Sequence, residues 1–183
     1  MKQRMLAGQP YLTGDPELVA EKLRCALLVR DYNATDPAAA ERRAELLAEL
    51  LGAVGPGTVF KPPVYFNYGY QTTVGRGTFV NVGATILDVG RVSIGDYVRI
   101  GPNVQLLTPL HPMSPTERRA GWESQAPVTI ADGAWLGGGV IVCAGVTIGA
   151  DAVIGAGSVV TRAVPPGVFA AGNPCRVIRA LPE

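Results

Sequence analysis

The residues best suited to chemistry lie where a regular pattern along the chain is interrupted. His111 is the only histidine among 183 residues, and it lies in a polar stretch, residues 107–127, that also holds Glu123. An imidazole exchanges its proton near neutral pH and can therefore act as a general base. A base needs a partner that fixes its tautomer, and Glu123 or a backbone carbonyl could supply it. A lone histidine is also compatible with a structural or merely exposed role, and Glu123 with an exposed loop carboxylate.

A second group of chemically suited residues follows residue 161. It consists of three arginines, Arg162, Arg176 and Arg179. Guanidinium groups form charge-assisted, often bidentate, hydrogen bonds with phosphate. Their grouping favours an anionic ligand, although each arginine alone is also compatible with a solvated surface charge.

The elements that position these groups are indicated by a period of six residues. From Val128 to Thr161, aliphatic side chains recur at every sixth position: Ile130, Leu136, Val142, Ile148, Ile154 and Val160. This period matches neither a helix nor a simple strand. It is typical of a β-solenoid, in which three short strands and three tight turns make a coil of about 18 residues. A β-sandwich would require turn signals about every eight to twelve residues instead.

The same period is present earlier in the chain. It runs through Val74, Val80, Ile86, Val92, Val98 and Val104. Ile94, Ile100 and Leu106 continue on a second apolar position. We expect these side chains to point inward and to stack from coil to coil, with small residues at the corners permitting close approach.

Composition narrows the class of protein. Hydrophobic residues make up 48% and charged residues 17% of the chain, which predicts one domain with a sizeable core rather than disorder. The net charge of +1 gives no electrostatic case for binding nucleic acid or an anionic membrane. Three widely spaced cysteines favour free thiols, and we see no signal peptide or span of about twenty apolar residues. These features predict a cytoplasmic protein.

Two helices are predicted before the repeats. An apolar stripe predicts the first over residues 16–32, with Asp15 as its N-cap. The second is predicted from Pro37 to Leu51, with Asp36 as its cap and Gly52 at its end.

The remaining segments connect or interrupt the solenoid. Residues 55–70 are expected to lead into the first coil as extended chain, and no strand pattern survives in 107–127. Prolines after residue 163 are expected to stop the coil. The predicted parts are therefore a helical domain, a solenoid with an inserted loop at 107–127, and a tail, at residues 1–54, 55–163 and 164–183.

Several segments together resemble a known family. They are the hexapeptide period, the histidine loop 108–112, the ending 170–178, and the N-terminal segments 5–8 and 62–69. They resemble the maltose/galactoside O-acetyltransferase family, which belongs to the left-handed β-helix acetyltransferases. The resemblance implies a mostly β fold: a left-handed parallel β-helix with a small N-terminal helical domain and a protruding loop. It also implies acetyl transfer from acetyl-CoA to a sugar hydroxyl, without a metal, in a homotrimer whose sites lie between subunits.

The resemblance assigns roles near the reacting atoms to three positions. His111 matches the family's catalytic base. Asn81 matches its active-site asparagine, which contacts the acceptor or intermediate, although Asn81 is also compatible with a turn of the coil. Gly138 matches a position near the thioester where the family often has serine, so only a backbone N–H remains to stabilise the oxyanion.

Acceptor recognition is assigned to four positions. Asp15 and Asn67 match positions that contact sugar in the family, although Asp15 can equally be a helix cap and Asn67 a turn residue. Asp88 lies close in sequence to these positions, and Glu123 lies near the histidine. The family has a second carboxylate where this chain has Val89, so its sugar preference can differ from that of its relatives.

Coenzyme A is assigned to small and basic residues near the end of the solenoid. Ala156, Gly157 and Thr161 match positions along the pantetheine arm, and Gly138 lies near the thioester. Arg162 and Arg176 are the expected partners of the phosphates.

Three alternatives remain open at this point. The acceptor could be another hydroxylated molecule, such as an amino-sugar, a chitooligosaccharide or an antibiotic. A zinc carbonic anhydrase with this fold needs three histidine ligands, whereas this chain has one. A non-catalytic β-helix would need neither His111 nor the basic C-terminal residues.

Overall fold

The computed structural model describes residues 1–182, which form four helices and many short strands. The helices are α1 (Lys2–Leu6), α2 (Pro16–Asn33), α3 (Ala40–Leu50) and α4 (Pro115–Arg119). The first ten strands are β1 (Tyr11–Leu12), β2 (Ala53–Val54), β3 (Val59–Phe60), β4 (Val64–Phe66), β5 (Thr72–Val74), β6 (Phe79–Val80), β7 (Ala84–Leu87), β8 (Val92–Ile94), β9 (Arg99–Ile100) and β10 (Gln105–Leu107). The other ten are β11 (Pro109–Leu110), β12 (Trp122–Gln125), β13 (Val128–Ile130), β14 (Trp135–Leu136), β15 (Ile141–Val142), β16 (Thr147–Ile148), β17 (Val153–Ile154), β18 (Val159–Val160), β19 (Val168–Gly172) and β20 (Cys175–Ala180).

Three sheets form the faces of a parallel β-helix. The first face contains β2, β5, β8, β13 and β16, and the third contains β4, β7, β10, β15 and β18. The second face contains β3, β6, β9, β14, β17 and β19, with β20 added antiparallel at its edge. The chain visits the three faces in this order five times and begins a sixth coil. The predicted β-solenoid is therefore confirmed.

Two corners of the solenoid carry most of the candidate site residues. Corner A joins the second face to the third and consists of residues 61–63, 81–83, 101–103, 137–139 and 155–157. Corner B joins the third face back to the first and consists of residues 67–71, 88–91, 108–127, 143–146 and 161–163. One full face, the third, separates the two corners within a chain.

The core consists of aliphatic side chains stacked from one coil to the next. Val74, Ile94, Ile130 and Ile148 form one such row, because β5, β8, β13 and β16 pair in this register, and all four are buried. The residue that pairs with Val74 in the next coil is Ile94, whereas Val92 pairs with Thr72. The six-residue spacing from Val74 to Val104 therefore passes from one strand position to another after Ile86, because two extra residues lie between the second and third coils.

The first coil begins earlier than the sequence predicts. Residues 55–70 are not a lead-in segment, since β3 and β4 pair in parallel with β6 and β7. Val54, Phe60 and Phe66 keep the six-residue spacing and pack in or against the core. The expectation of an extended lead was wrong because two aromatic side chains take the places of aliphatic ones.

The bounds of the two predicted helices agree with the structure, except at the start of the second helix. The predicted helix over residues 16–32 is confirmed as α2, and the Asp15 carboxylate accepts a hydrogen bond from the Leu18 N–H at 3.5 Å. The second helix begins at Ala40 rather than Pro37. Asp36 accepts from the Ala38 N–H at 2.7 Å, so it caps a turn and the helix starts only after it.

The interruption at 107–127 is ordered, which corrects the expectation that it lacks strands. It forms the antiparallel hairpin β11–β12, with α4 between the two strands. β12 also pairs with β1, so this three-stranded sheet joins the N-terminal segment to the loop. These strands pair outside the solenoid, and the hexapeptide period therefore gives no sign of them.

The prolines after residue 163 do not end the coil at once. Val164 bridges Ile148, and β19 pairs in parallel with β17 before the hairpin to β20 closes that edge. The division of the chain into three parts, at residues 1–54, 55–163 and 164–183, stays a prediction.

None of the helices within residues 1–182 combines the length and the apolar character that crossing a membrane requires.

Candidate active site

His111 lies directly after β11, on the hairpin that projects from corner B. Its side chain is 59% exposed, and its Nε2 lies 3.5 Å from Oε2 of Glu123. This separation is longer than the roughly 2.7–3.2 Å of an N–H···O hydrogen bond. Catalytic hydrogen bonds often shorten only when substrate is bound. The pair is therefore close enough for Glu123 to orient the imidazole after a small movement.

Glu123 is buried and held from behind by the N-terminal segment. The register of β1 and β12 places Tyr11 opposite Glu123, and the Tyr11 hydroxyl donates a hydrogen bond to Oε1. Burial, together with this carboxylate, raises the pKa of Tyr11 far above its usual value, so the phenol stays a donor at neutral pH. Glu123 therefore presents its two oxygens to different groups, one to Tyr11 and the other toward His111.

A cavity of about 430 Å³ opens beside His111. Its other walls include Arg4, Glu117, Trp122 and Glu123. The Arg4 guanidinium lies over the Trp122 ring, 5.7 Å from its centre. A cavity of this size, with one aromatic wall and several polar groups, is of the kind that binds a small polar molecule.

Asp15 lines a different cavity, which shares no lining residue with the His111 cavity. This second cavity, of about 500 Å³, also includes Thr13, Arg119 and Gly121. Asp15 caps α2, and its Oδ2 lies 3.8 Å from the N-terminal ammonium of Met1. Within one chain, Asp15 and His111 therefore do not line a common cavity.

Asp88 is completely buried at corner B. Its Oδ1 accepts from the backbone N–H groups of Asn67 at 3.1 Å and Tyr68 at 2.9 Å, and its Oδ2 accepts from the Thr72 hydroxyl at 3.0 Å. Burial raises the pKa of Asp88 to about 6, although these hydrogen bonds act in the opposite direction. With its oxygens occupied, Asp88 anchors the turn that carries Asn67 rather than offering a contact to an acceptor.

Corner A carries the predicted residues Asn81, Gly138, Ala156 and Gly157. The Asn81 Oδ1 accepts from the Val82 N–H at 2.9 Å, as an ordinary corner residue does. The Gly138 carbonyl accepts from the Gly157 N–H at 2.9 Å. Within residues 1–182 the Gly138 N–H takes part in no backbone hydrogen bond. It is therefore free to stabilise a negative charge.

The predicted contacts of coenzyme A divide between the two corners. Thr161 and Arg162 follow β18 at corner B. Arg176 lies on β20 opposite Ala171, which places it at the end of the second face near corner A. Arg162 and Arg176 thus lie at different corners of the solenoid, although both come from the C-terminal part of the sequence.

The structure therefore divides the candidate residues into two groups. His111, Glu123, Asn67, Thr161 and Arg162 belong to corner B, whereas Asn81, Gly138, Ala156, Gly157 and Arg176 belong to corner A. A six-residue side of the coil separates the corners by roughly 20 Å of extended chain. The hairpin that carries His111 is paired with β1 on its own side. In a single chain the two groups do not meet.

Two residues of the His111 neighbourhood, Tyr11 and Arg4, were given no role by sequence reasoning, whereas Trp122 was considered there as an aromatic that could stack on a sugar ring or simply pack. Tyr11, Arg4 and Trp122 come from β1, α1 and β12, and no periodic pattern connects them. Their only signal is that β1 pairs with β12, which cannot be read from strands of two and four residues. No three His, Cys, Asp or Glu side chains of the described chain come together as metal ligands would.

Comparison with known proteins places these features in a family context. Residues 4–55 match the family described as the maltose acetyltransferase hexapeptide capping motif, and residues 127–162 match the six-repeat bacterial transferase hexapeptide family. Nodulation protein L of Rhizobium meliloti (strain 1021) is 47% identical over 176 residues, covering 96% of each chain.

Two solved structures share the whole fold. A maltose O-acetyltransferase from Clostridium difficile 630 has a TM-score of 0.97 at 43% identity and covers 100% of this chain and 97% of that one. A galactoside acetyltransferase in complex with coenzyme A has a TM-score of 0.95 at 41% identity, with 100% and 91% covered.

Proposed function

Since the chain belongs to the maltose and galactoside O-acetyltransferase family of acetyl-CoA-dependent enzymes, we propose that it acetylates a hydroxyl group of a sugar, with His111 as the general base. The observation that carries this proposal is the geometry of the only histidine in the chain. It lines an open cavity, and its Nε2 faces the buried carboxylate of Glu123 at 3.5 Å.

The proposed chemistry is a single acyl transfer. The acceptor oxygen attacks the thioester carbonyl carbon while the imidazole removes the hydroxyl proton. The carbon–sulfur bond of the resulting tetrahedral intermediate then breaks, and the departing thiolate takes the proton from the imidazolium. With Glu123 opposite Nε2, the Nδ1 atom is the one left to accept the proton.

Recognition of the sugar involves both flanks of the hairpin. We assign the His111 cavity, with Trp122 as an apolar wall and Glu123 and Arg4 as polar walls, to the ring that is acetylated. Asp15 and Asn67 serve as further acceptor contacts, and Asp88 acts by holding the backbone of Asn67.

The complete site requires two chains. Asn81 and the Gly138 N–H lie at corner A and His111 at corner B, so a neighbouring solenoid must bring its corner A against the His111 hairpin. A heterologous contact closes into a ring when its rotation divides a full turn, and the proposed assembly is the ring of three, a homotrimer with three equivalent sites. In each site Asn81 contacts the acceptor and Gly138 donates to the oxyanion.

Acetyl-CoA lies in the same groove between chains. The small residues Ala156 and Gly157 let the pantetheine arm approach the backbone of one chain, and Thr161 borders it from the other. Arg162 and Arg176 bind its phosphates. A groove formed from both corners explains why the basic residues are found on both.

The three cysteines are free in the structure, and the cytoplasmic location stays a prediction.

Replacing the histidine tests the proposal. His111→Ala should lower kcat on the order of 100- to 10,000-fold, because a positioned base contributes about that factor. Met113→Ala is the matched control, since Met113 lies on the same loop and is almost fully exposed. Thermal unfolding of both variants should match the parent chain. Near-normal turnover by His111→Ala would refute the assignment of the base.

The acceptor class is tested separately by coenzyme A release. Maltose, glucose, a galactoside and a chitooligosaccharide should be compared with a non-sugar alcohol at equal concentration. Preference for one of the sugars is the expected result. Equal rates for the non-sugar alcohol and every sugar would refute a sugar substrate while leaving the acetyl-CoA-dependent activity intact.

A further inference from the structure

We propose that Tyr11 is a positioning residue for the reaction, and that it holds the Glu123 carboxylate toward His111 so that the N-terminal segment sets the orientation of the base. The inference rests on the proposed role of His111. It concerns a residue that never reaches the acceptor, because Tyr11 is fully buried behind Glu123.

The contacts of Glu123 carry the inference. Its Oε1 accepts a hydrogen bond from the Tyr11 hydroxyl, which leaves Oε2 facing His111 at 3.5 Å. Tyr11 itself is fixed by the pairing of β1 with β12 and by packing with Met5 and Leu18. A carboxylate restrained at one oxygen cannot turn away from the imidazole without breaking that bond.

The charges around His111 come from several elements. Arg4 of α1 and Glu117 of α4 line its cavity together with Glu123 of β12. Of these, Glu123 is the charged group paired with the imidazole at 4 Å or less within residues 1–182. The orientation of His111 therefore depends mainly on Glu123, and that of Glu123 on Tyr11.

A matched control lies in the same apolar cluster. Tyr68 packs with Tyr11 and is equally buried, but its hydroxyl has no hydrogen-bond partner within residues 1–182. Tyr68→Phe and Tyr11→Phe each remove one buried hydroxyl and leave the ring in place. They differ only in whether that hydroxyl holds Glu123.

Steady-state kinetics of the full-length protein give the first test. Tyr11→Phe should lower kcat about tenfold with little change in either KM, because a hydrogen bond to a charged group is lost and no substrate contact is touched. Tyr68→Phe should leave kcat unchanged. Glu123→Gln should lower kcat about 100-fold.

A double-mutant cycle tests whether Tyr11 acts through Glu123. Adding Tyr11→Phe to Glu123→Gln should cause no further loss, since the group that Tyr11 holds is already altered. A tenfold loss in both backgrounds would show a general structural role and overturn the proposal. Equal effects of Tyr11→Phe and Tyr68→Phe would also overturn it.

The single histidine permits a second test that does not depend on activity. In protein labelled with ¹⁵N-histidine and purified without a histidine tag, all imidazole signals come from His111. The ¹⁵N chemical shifts of the neutral imidazole report which ring nitrogen carries the proton. Because Glu123 faces Nε2, the fraction of the Nε2–H tautomer should fall in Glu123→Gln, should fall less in Tyr11→Phe, and should stay unchanged in Tyr68→Phe. A tautomer ratio in Tyr11→Phe equal to that of the parent chain would contradict positioning even if His111 proves not to be the base.

Discussion

At the scale of single residues, Asp88 shows how a carboxylate near an active site can serve the fold. It is fully buried and accepts three hydrogen bonds from the segment between Asn67 and Thr72. Its closeness in sequence to the candidate site suggested an acceptor contact for Asp88. Only the structure shows that its oxygens are already occupied by the turn.

Asp88→Asn should change how stability depends on pH. Burial raises the pKa of Asp88 from 3.8 to about 6, so the folded chain holds this proton more tightly than the unfolded chain does. Its stabilising contribution is therefore present below about pH 4 and lost as the pH rises through about 6, a difference on the order of 3 kcal/mol. Asparagine keeps one oxygen for both N–H groups, and its amide can donate to the Thr72 hydroxyl, without a titrating group.

Urea unfolding at pH 5 and pH 7.5, at one protein concentration, measures this effect. Relative to the parent chain, Asp88→Asn should gain stability at pH 7.5 compared with pH 5. Asp36→Asn is the control, because Asp36 is exposed and also accepts a backbone hydrogen bond. Identical pH dependence in the parent chain and in Asp88→Asn would contradict the buried, titrating carboxylate.

At the scale of elements, glycine permits a close approach of backbone atoms at the corners of the coils. A Cβ built on Gly101 would lie 2.6 Å from the Gly138 nitrogen and 2.8 Å from the Gly137 carbonyl carbon. These atoms are backbone and cannot move independently. Glycine at this corner therefore lets two coils approach closely, and it also determines where the Gly138 N–H lies.

Gly101→Ala should separate the third and fourth coils at corner A. Overpacking of this kind typically costs about 1–3 kcal/mol, so the thermal midpoint should fall and the KM for acetyl-CoA should rise. Gly14→Ala is the control, since a Cβ there meets no atom within 4 Å. An unchanged thermal midpoint in Gly101→Ala would show that the coils can separate without cost.

The elements also show what sequence reasoning could and could not reach. The period of six predicted the solenoid, because inward side chains must repeat wherever identical coils stack. It missed the first coil, where Phe60 and Phe66 replace aliphatic residues, and it merged two rows where the coil length changes. The sheet formed by β1, β11 and β12 could not be predicted, because strand pairing between distant two-residue segments leaves no periodic trace.

The same distinction applies to the candidate site. His111 and Glu123 stood out because they interrupt an apolar pattern, and the structure brings them within 3.5 Å. Tyr11 did not stand out, because its role depends on a contact across 112 residues of chain. The division of the candidate residues between two corners likewise depends on the order in which the faces follow one another.

At the scale of the whole molecule, the solenoid acts as a rigid spacer. It holds the His111 hairpin at corner B and the Asn81 and Gly138 edge at corner A, on opposite sides of the third face. A site that needs both edges must therefore combine two chains. Our central claim is that each active site takes His111 from one chain and Asn81 from its neighbour.

Complementation between two inactive variants tests this claim most directly. His111→Ala and Asn81→Ala should each be nearly inactive alone, and co-expression in equal amounts should produce mixed trimers. If each site draws on two chains, random assortment leaves about a quarter of the sites with both residues intact. The mixture should therefore recover about a quarter of the parent activity per site. If the mixed trimers form and stay as inactive as the separate variants, both residues act within one chain and the claim is contradicted.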